Sequence, residues 1–287
     1  MEIKRVGVVG CGTMGSGIAQ VCAQAGFQVV VSEANEELLK KGLGLIDSFL
    51  AKGVQRGKVT REDKGAIMAR IIGTTDLERF ADCDLMIEAV VEDMDVKKKL
   101  FTELDKICRK DSILATNTSC LSVIDIANVT SKPEKVLGLH FFNPAQLMKL
   151  LEIVKTIATS IETIETGKEF GRTIGKTTII APDTPGFIVN RISIPFRLNC
   201  IKMLEDGYAT KEDIDTGLKL GLGHPMGQLE LQDLVGLDVT FAVANSIYDE
   251  TKDPIYAPPV LMKKMYAAGW WGRKTGKGFY NHTDKKQ

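Results

Sequence analysis

In the first half of the chain, short runs that are apolar at nearly every position alternate with longer stretches that are apolar every third or fourth residue. The runs at 3–9 (IKRVGVV), 28–32 (QVVVS), 84–90 (DLMIEAV), 112–116 (SILAT), 136–142 (VLGLHFF) and 150–154 (LLEIV) predict β-strands. The stretches at about 15–25, 35–55, 61–70, 95–108 and 121–128 predict helices, the third of them opened by Thr60 and Asp63 as a capping box. A strand that is apolar throughout offers no face to water, so its sheet must be covered on both sides. Such strands separated by helices predict a doubly wound, mostly parallel α/β domain.

The pattern changes near residue 182. The segment APDTPG (181–186) is a turn or linker signal, and beyond it the apolar positions recur at helical spacing, as in FIVNRISIPFRLNCIKMLEDG and LVGLDVTFAVANSIYDE. The chain therefore divides into a first domain at 1–183 and a smaller, nearly all-helical domain at 184–287. Repeats and low-complexity segments are absent, and only TDKKQ at the end reads as frayed.

Composition narrows the class. A hydrophobic share of 44% and a charged share of 26% over 287 residues are those of an ordinary globular protein with a real core. Lys plus Arg and Asp plus Glu number 37 each, so no global field favours nucleic acid or an anionic membrane as a partner. No apolar run reaches the ~18 residues of a membrane span, and Met1 leads directly into a strand rather than a secretory h-region. The six cysteines are scattered without C-x-x-C or zinc-like spacing, which predicts reduced thiols, no metal site and a cytoplasmic protein.

The first candidate site is a glycine loop. In VGVVGCGTMGSGIAQ, Gly10, Gly12 and Gly15 stand as G-x-G-x-x-G between a β run and a helix, with Thr13 and Met14 between the last two. The first glycine allows a tight turn, the second lets the backbone approach a pyrophosphate, and the third lets helix pack on strand. Alone the pattern is weak, but here a carboxylate follows at the end of the next strand, Glu33, 23 positions after Gly10. A carboxylate accepts from a ribose 2′-hydroxyl and repels a 2′-phosphate, and no arginine follows in ANEE, so the reading is a Rossmann-type domain that binds NAD rather than NADP. By itself, Glu33 also fits the lesser alternative of a solvated loop charge.

The second candidate is GLHFFNPAQLMKLLEIV (138–154), which contains His140, one of only three histidines, and Glu152 twelve residues later. Taken alone, His140 could be a satisfied core residue, because that spacing puts the two on no common helix face. Asn-Pro marks a turn between the two flanking strands. If 136–142 and 150–154 run antiparallel and symmetric about Gln146, His140 and Glu152 lie side by side. An imidazole titrates near neutral pH and serves as acid or base, and a carboxylate on its other nitrogen would fix the tautomer.

Six motifs, GCGTMGSGIAQ, ATNTSCLS, GLHFFNPAQLMKLLEIV, DTPGFIVNRI, HPMGQLEL and GRKTGKGFY, occur in this order from residue 3 to about 280. Together they resemble the L-3-hydroxyacyl-CoA dehydrogenases, most of all the short-chain bacterial 3-hydroxybutyryl-CoA type. The resemblance implies NAD-linked interconversion of an L-3-hydroxyacyl-CoA and a 3-ketoacyl-CoA, with His140 as base and Glu152 as its partner. It further implies that Ser119 and Asn190 bind the substrate oxygen, and that Asn117, Asn143, Glu92, Lys97 and Lys274 line the cofactor side. Basic residues on the helix after Glu33 contact the CoA head in the family, which points to Lys52 and Arg56, four apart on one helix face. As isolated residues, Ser119 and the asparagines would be turn or cap groups, and Glu92, Lys97, Lys52 and Arg56 solvated ones.

The family also implies a homodimer through the helical domain, and a free-standing chain without a fused hydratase suits four-carbon substrates. Cys120 stands where a second serine is common, Gln146 and Gln228 stand near positions often proline, and Glu33 replaces the usual aspartate; none of these removes a catalytic group. His224 reads as a loop or helix-start residue and His282 as tail. Two alternatives stay open on sequence: a hydroxy-acid dehydrogenase without CoA, acting on a substrate such as gulonate, and a catalytically silent relative of the eye-lens type.

Overall fold

The fold was taken from a computed structural model that describes residues 2–283. Apart from Thr283, the TDKKQ end read as frayed falls outside them. The described chain divides into two compact units, with the boundary along the chain between Asp183 and Thr184.

The first unit holds one eight-stranded sheet. Its strands are β1 (Arg5–Val9), β2 (Gln28–Ser32), β3 (Ile71–Thr74), β4 (Leu85–Glu88), β5 (Ile113–Thr116), β6 (Val136–Phe141), β7 (Leu150–Lys155) and β8 (Thr177–Pro182). Its helices are α1 (Thr13–Gln24), α2 (Glu36–Gln55), α3 (Arg61–Ala69), α4 (Met94–Ile107), α5 (Val123–Ala127) and α6 (Ile161–Thr173). The strand order is β3-β2-β1-β4-β5-β6-β7-β8. The first six are mutually parallel, β7 is antiparallel to β6, and β8 is parallel to β7.

The order 3-2-1-4-5-6 is that of the dinucleotide-binding fold, and the order in which strands are added across the sheet reverses between β1 and β4. A ligand crevice forms at that switch point, beyond the carboxyl ends of both strands. The apolar runs explain the placement. In β4 and β5 every residue is buried, and in β1, β2 and β7 only terminal residues are less than fully buried. Val6, Val8, Val29, Val31, Ile87 and Ala115 share one core cluster with Ile18 and Ala19 of α1.

Helix starts follow local chemistry. Asn35 caps α2 by accepting from Leu38 N at 2.9 Å, ahead of Glu36 and Glu37 in the first turn. The Thr60–Asp63 capping box opens α3 as the sequence predicts, with Thr60 Oγ1 taking Asp63 N–H at 2.9 Å and the Asp63 carboxylate taking Thr60 N–H at 3.3 Å.

Three elements escape the apolar pattern. β3 and β8 are the two edge strands; β3 is half-exposed along its four residues and carries Gly73, and β8 is rich in threonine and ends in Pro182. Edge strands need no continuous apolar run and tolerate proline. Besides Phe170, α6 buries Thr163, Thr166, Gly167 and Gly171, small or polar residues that leave little helical apolar period.

The second unit is helical: α7 (Val189–Glu205), α8 (Lys211–Gly221), α9 (Gln228–Val235), α10 (Leu237–Thr251) and α11 (Val260–Ala267). Its own core gathers Ile194, Leu198, Ile201, Leu229, Leu237, Ala244, Ile247 and Met262. Among the described residues, no helix is long and apolar enough to cross a membrane.

Candidate active site

The turn from β1 into α1 is built by its glycines. Gly10 has φ +92°, and a Cβ there would lie 2.6 Å from the Ala89 carbonyl oxygen. At Gly15 a Cβ would come within 1.7 Å of the Gly10 carbonyl oxygen, so helix and loop approach this closely only without one. Gly12 differs, for a Cβ there would meet nothing within 4 Å. The space above Gly12 is therefore open to a ligand. Gly12 caps α1 without a side-chain bond, so the first amides of the helix face outward, a ready anion site. Thr13 is exposed at that end, and half-buried Met14 packs on the core.

Glu33 follows β2 and bends back over this loop. Its Oε1 accepts from Cys11 N at 2.8 Å and its Oε2 from Ala34 N at 3.0 Å, each oxygen retaining a lone pair. A cavity of about 840 Å³ opens beside it, with Gly10, Gly12, Leu38, Leu77 and Val91 among its lining. The Glu33 carboxylate beside the glycine loop, in a largely apolar crevice, fits an adenosine ribose. Burial, and then the charge of Glu33, pushes the Cys11 thiol up to about 12, so no thiolate sits near the phosphate site.

Beyond the switch point lies a charged group that the sequence reading only partly anticipates. Lys97 is 1% exposed, although the reading left open a solvated residue. Its Nζ lies 2.5 Å from Glu88 Oε1 and 3.3 Å from Glu92 Oε2. Glu88, at the end of β4, also accepts from Val90 N at 2.8 Å and from Thr116 Oγ1 at 2.7 Å. Glu92 Oε1 accepts from Thr118 Oγ1 at 2.5 Å and from Ser119 N at 2.8 Å. Asn117, between these threonines, accepts from Phe141 N at 2.9 Å through Oδ1 and so ties the β5 end to β6.

His140 and Glu152 form a directly facing pair in the antiparallel β6–β7 ladder, the register symmetric about Gln146 that the sequence suggested. His140 Nδ1 lies 2.6 Å from Glu152 Oε2, with His140 4% and Glu152 0% exposed. A carboxylate accepts only, so Nδ1 is the donor in this bond and Nε2 is left for a second partner. On that side Ser119 Oγ stands 3.1 Å from Nε2. Asn143 is exposed just past β6, at a cis bond to Pro144. Lys176 went unnoticed in the sequence; it donates to Ala145 O and Met148 O at 2.5 Å each and pins the β6–β7 connection. Burial, then neighbouring Lys149, lowers its pKa.

Other expected residues lie elsewhere. Lys52 is exposed in the last turn of α2 and Arg56 caps its end, neither side chain paired among the described residues. In the second unit, Asn190 is half-buried in the first turn of α7, and Lys274 Nζ donates to Asp238 Oδ2 at 2.6 Å. His282 is no loose tail. Its Nε2 lies 2.8 Å from Oδ2 of buried Asp233, which also holds Phe279 N and Tyr280 N, because a buried carboxylate needs several donors. Among the described residues, no group of three or more His, Cys, Asp and Glu side chains could hold a metal.

An imidazole held on one nitrogen by a buried carboxylate and facing a hydroxyl with the other, on a sheet whose switch point suits a dinucleotide, defines an NAD-dependent dehydrogenase. Comparison with known proteins narrows the class. The family model for the 3-hydroxyacyl-CoA dehydrogenase NAD binding domain matches residues 5–184, and that for the C-terminal domain matches 186–282. A 3-hydroxybutyryl-CoA dehydrogenase of Mycobacterium tuberculosis is 44% identical over 282 residues, 98% of this chain and 99% of that protein. One of Clostridioides difficile is 45% identical, covering 97% of this chain and 99% of that protein. The crystal structure of M. tuberculosis FadB2 superposes with a TM-score of 0.96 at 44% identity, over 98% of this chain and 99% of that one. The chain belongs to the 3-hydroxyacyl-CoA dehydrogenase family, and its cofactor is NAD.

Proposed function

We propose that the protein interconverts L-3-hydroxybutyryl-CoA and acetoacetyl-CoA in the cytoplasm. The observation that carries this reading is the His140 geometry: Nδ1 bound to Glu152 at 2.6 Å leaves Nε2 as a base beside Ser119 Oγ at 3.1 Å.

A substrate hydroxyl within reach of both groups accepts from Ser119 and donates to His140. His140 takes that proton as the C3–H bond breaks, and Glu152 stabilises the imidazolium that forms. NAD, when bound, supplies the hydride acceptor. In the reverse direction His140 returns the proton to the ketone oxygen, and Ser119 polarises that oxygen from the start. Asn190 is assigned to the same oxygen.

Gly10, Gly12, Thr13, Met14 and Gly15 are assigned to the pyrophosphate, and Glu33 to the adenosine ribose. Asn117, Asn143, Glu92, Lys97 and Lys274 complete the cofactor side. Lys52 and Arg56, exposed and unpaired among the described residues, supply positive charge for the phosphates of CoA. The second unit leaves Ile192, Tyr208, Leu220 and Leu222 between 67% and 84% exposed, which supports a homodimer formed through it.

Initial rates with C4 to C16 3-ketoacyl-CoAs, each with NADH and NADPH, test the assignment. The C4 substrate with NADH gives the highest kcat/KM on this reading. A preference for long chains, or no turnover of any CoA ester, contradicts it.

A further inference from the structure

We propose that Lys97 and Glu88 are positioning residues for Ser119, acting through the Glu92 carboxylate. The inference rests on Ser119 being the substrate-oxygen donor assigned above, and it adds a hold on the serine to the place of Lys97 on the cofactor side.

An ammonium that is 1% exposed is tolerated only where charge and hydrogen bonds compensate its lost hydration. Lys97 finds Glu88 at 2.5 Å and Glu92 at 3.3 Å. The two carboxylates differ in what fixes them. Glu88, 0% exposed, is held from several sides: it closes β4, takes Val90 N–H from the following loop and takes the Thr116 hydroxyl from β5. It is the immobile end of the chain of contacts.

Glu92 stands on the loop before α4 with its side chain 38% exposed, where an unheld carboxylate would turn to water. Lys97 takes its Oε2, and this leaves Oε1 aimed at the Thr118 hydroxyl and at Ser119 N–H, 2.5 and 2.8 Å away. Ser119 Oγ then stands 3.1 Å from His140 Nε2. The sheet thus fixes the serine through four successive contacts: Glu88 to Lys97, Lys97 to Glu92, Glu92 to the Ser119 amide, and Ser119 to the base. Lys97 is the member whose loss frees the Glu92 Oε2 from the fixed end.

The test uses full-length protein with Lys97→Met and Glu88→Gln, each alone and combined with Ser119→Ala. Acetoacetyl-CoA reduction, NADH affinity by fluorescence and amide exchange at 117–121 in the free protein are measured. Lys97→Met should lower kcat about 10- to 100-fold, the cost of a misplaced group near the chemistry, and Glu88→Gln less. NADH affinity should change less than about threefold in Glu88→Gln, and in the Ser119→Ala background the further loss of kcat should stay below about threefold for both variants, because both act through one residue. Exchange of the Ser119 amide should accelerate in both variants.

Losses that multiply fully with Ser119→Ala, or NADH affinity that falls tenfold at unchanged kcat, would overturn the proposal. Unchanged exchange at Ser119 would do so as well. Glu88→Gln keeps the side-chain volume and carries the test if Lys97→Met fails to fold. If Ser119→Ala alone leaves kcat intact, the substrate-oxygen assignment fails, and exchange at Ser119 still decides whether the network holds the loop.

Discussion

His140 on β6 and Glu152 on β7 face each other across an antiparallel register, and the imidazole Nδ1 meets the carboxylate Oε2 at 2.6 Å. Glu152 is fully buried, so its charge acts on the ring with little screening by water. Replacing it by glutamine keeps shape and a hydrogen-bond acceptor but removes the charge that stabilises the imidazolium. Glu152→Gln should lower kcat about 100-fold, within the range for a general base deprived of its partner. KM for NADH should stay within about threefold in the same assays, since Glu152 has no part in binding the dinucleotide.

Glu33 carries the cofactor choice. Its oxygens hold Cys11 N–H and Ala34 N–H and keep lone pairs for a ribose. Glu33→Gln should raise KM for NADH about tenfold, in line with about 1.5–3 kcal/mol for a hydrogen bond to a charged group. The ratio of NADH to NADPH efficiency should fall with it. An unchanged ratio would place the discrimination elsewhere.

Lys52 and Arg56 are exposed at the end of α2, where a flexible cation loses little by binding a phosphate. The double variant Lys52→Ala/Arg56→Ala should raise KM for acetoacetyl-CoA about tenfold, the worth of one or two charge-assisted hydrogen bonds. KM for NADH should move less than about twofold in the same assays, the two residues having no assigned role on that side.

Stability in acid should depend on Asp84. Burial raises its carboxyl, but the Arg5 and Lys4 amides, at 2.9 and 2.8 Å, and the Arg109 guanidinium together outweigh that and leave it below the ordinary 3.8. A carboxyl with a lowered folded pKa contributes stability that is complete above about 4, the unfolded value, and is lost as pH falls through the folded one. Asp84→Asn should therefore cost about 1–2 kcal/mol at pH 7 and progressively less below pH 4, as read by urea denaturation at several pH values. A cost that stays constant down to pH 2 would show that the charge contributes nothing.

The inner sheet was legible because its strands are buried on both faces and so read as apolar runs. Edge strands β3 and β8 carry no such run, and α6 buries threonines and glycines; both facts depend on neighbours that a local pattern does not reveal. The His140–Glu152 pair was legible for a geometric reason, since an antiparallel turn centred on Gln146 makes the two residues face each other. Glu88 and Lys97 were not read as partners. A glutamate ending an apolar strand and a lysine opening a helix are ordinary in sequence, and they meet only because the chain turns after β4 and brings the start of α4 back to the end of that strand. Lys176 was missed for the same reason, being 31 residues from the carbonyl of Ala145 that it holds.

The central claim is that His140 is the proton-transferring base. The most direct test is kcat for acetoacetyl-CoA reduction by NADH in His140→Ala against the parent, with NADH affinity measured alongside. The account predicts a loss of about 10²–10⁴-fold in kcat, with NADH affinity within about threefold of the parent. A variant that keeps kcat within about tenfold while the fold is intact would contradict it, since a positioned general base contributes more than that.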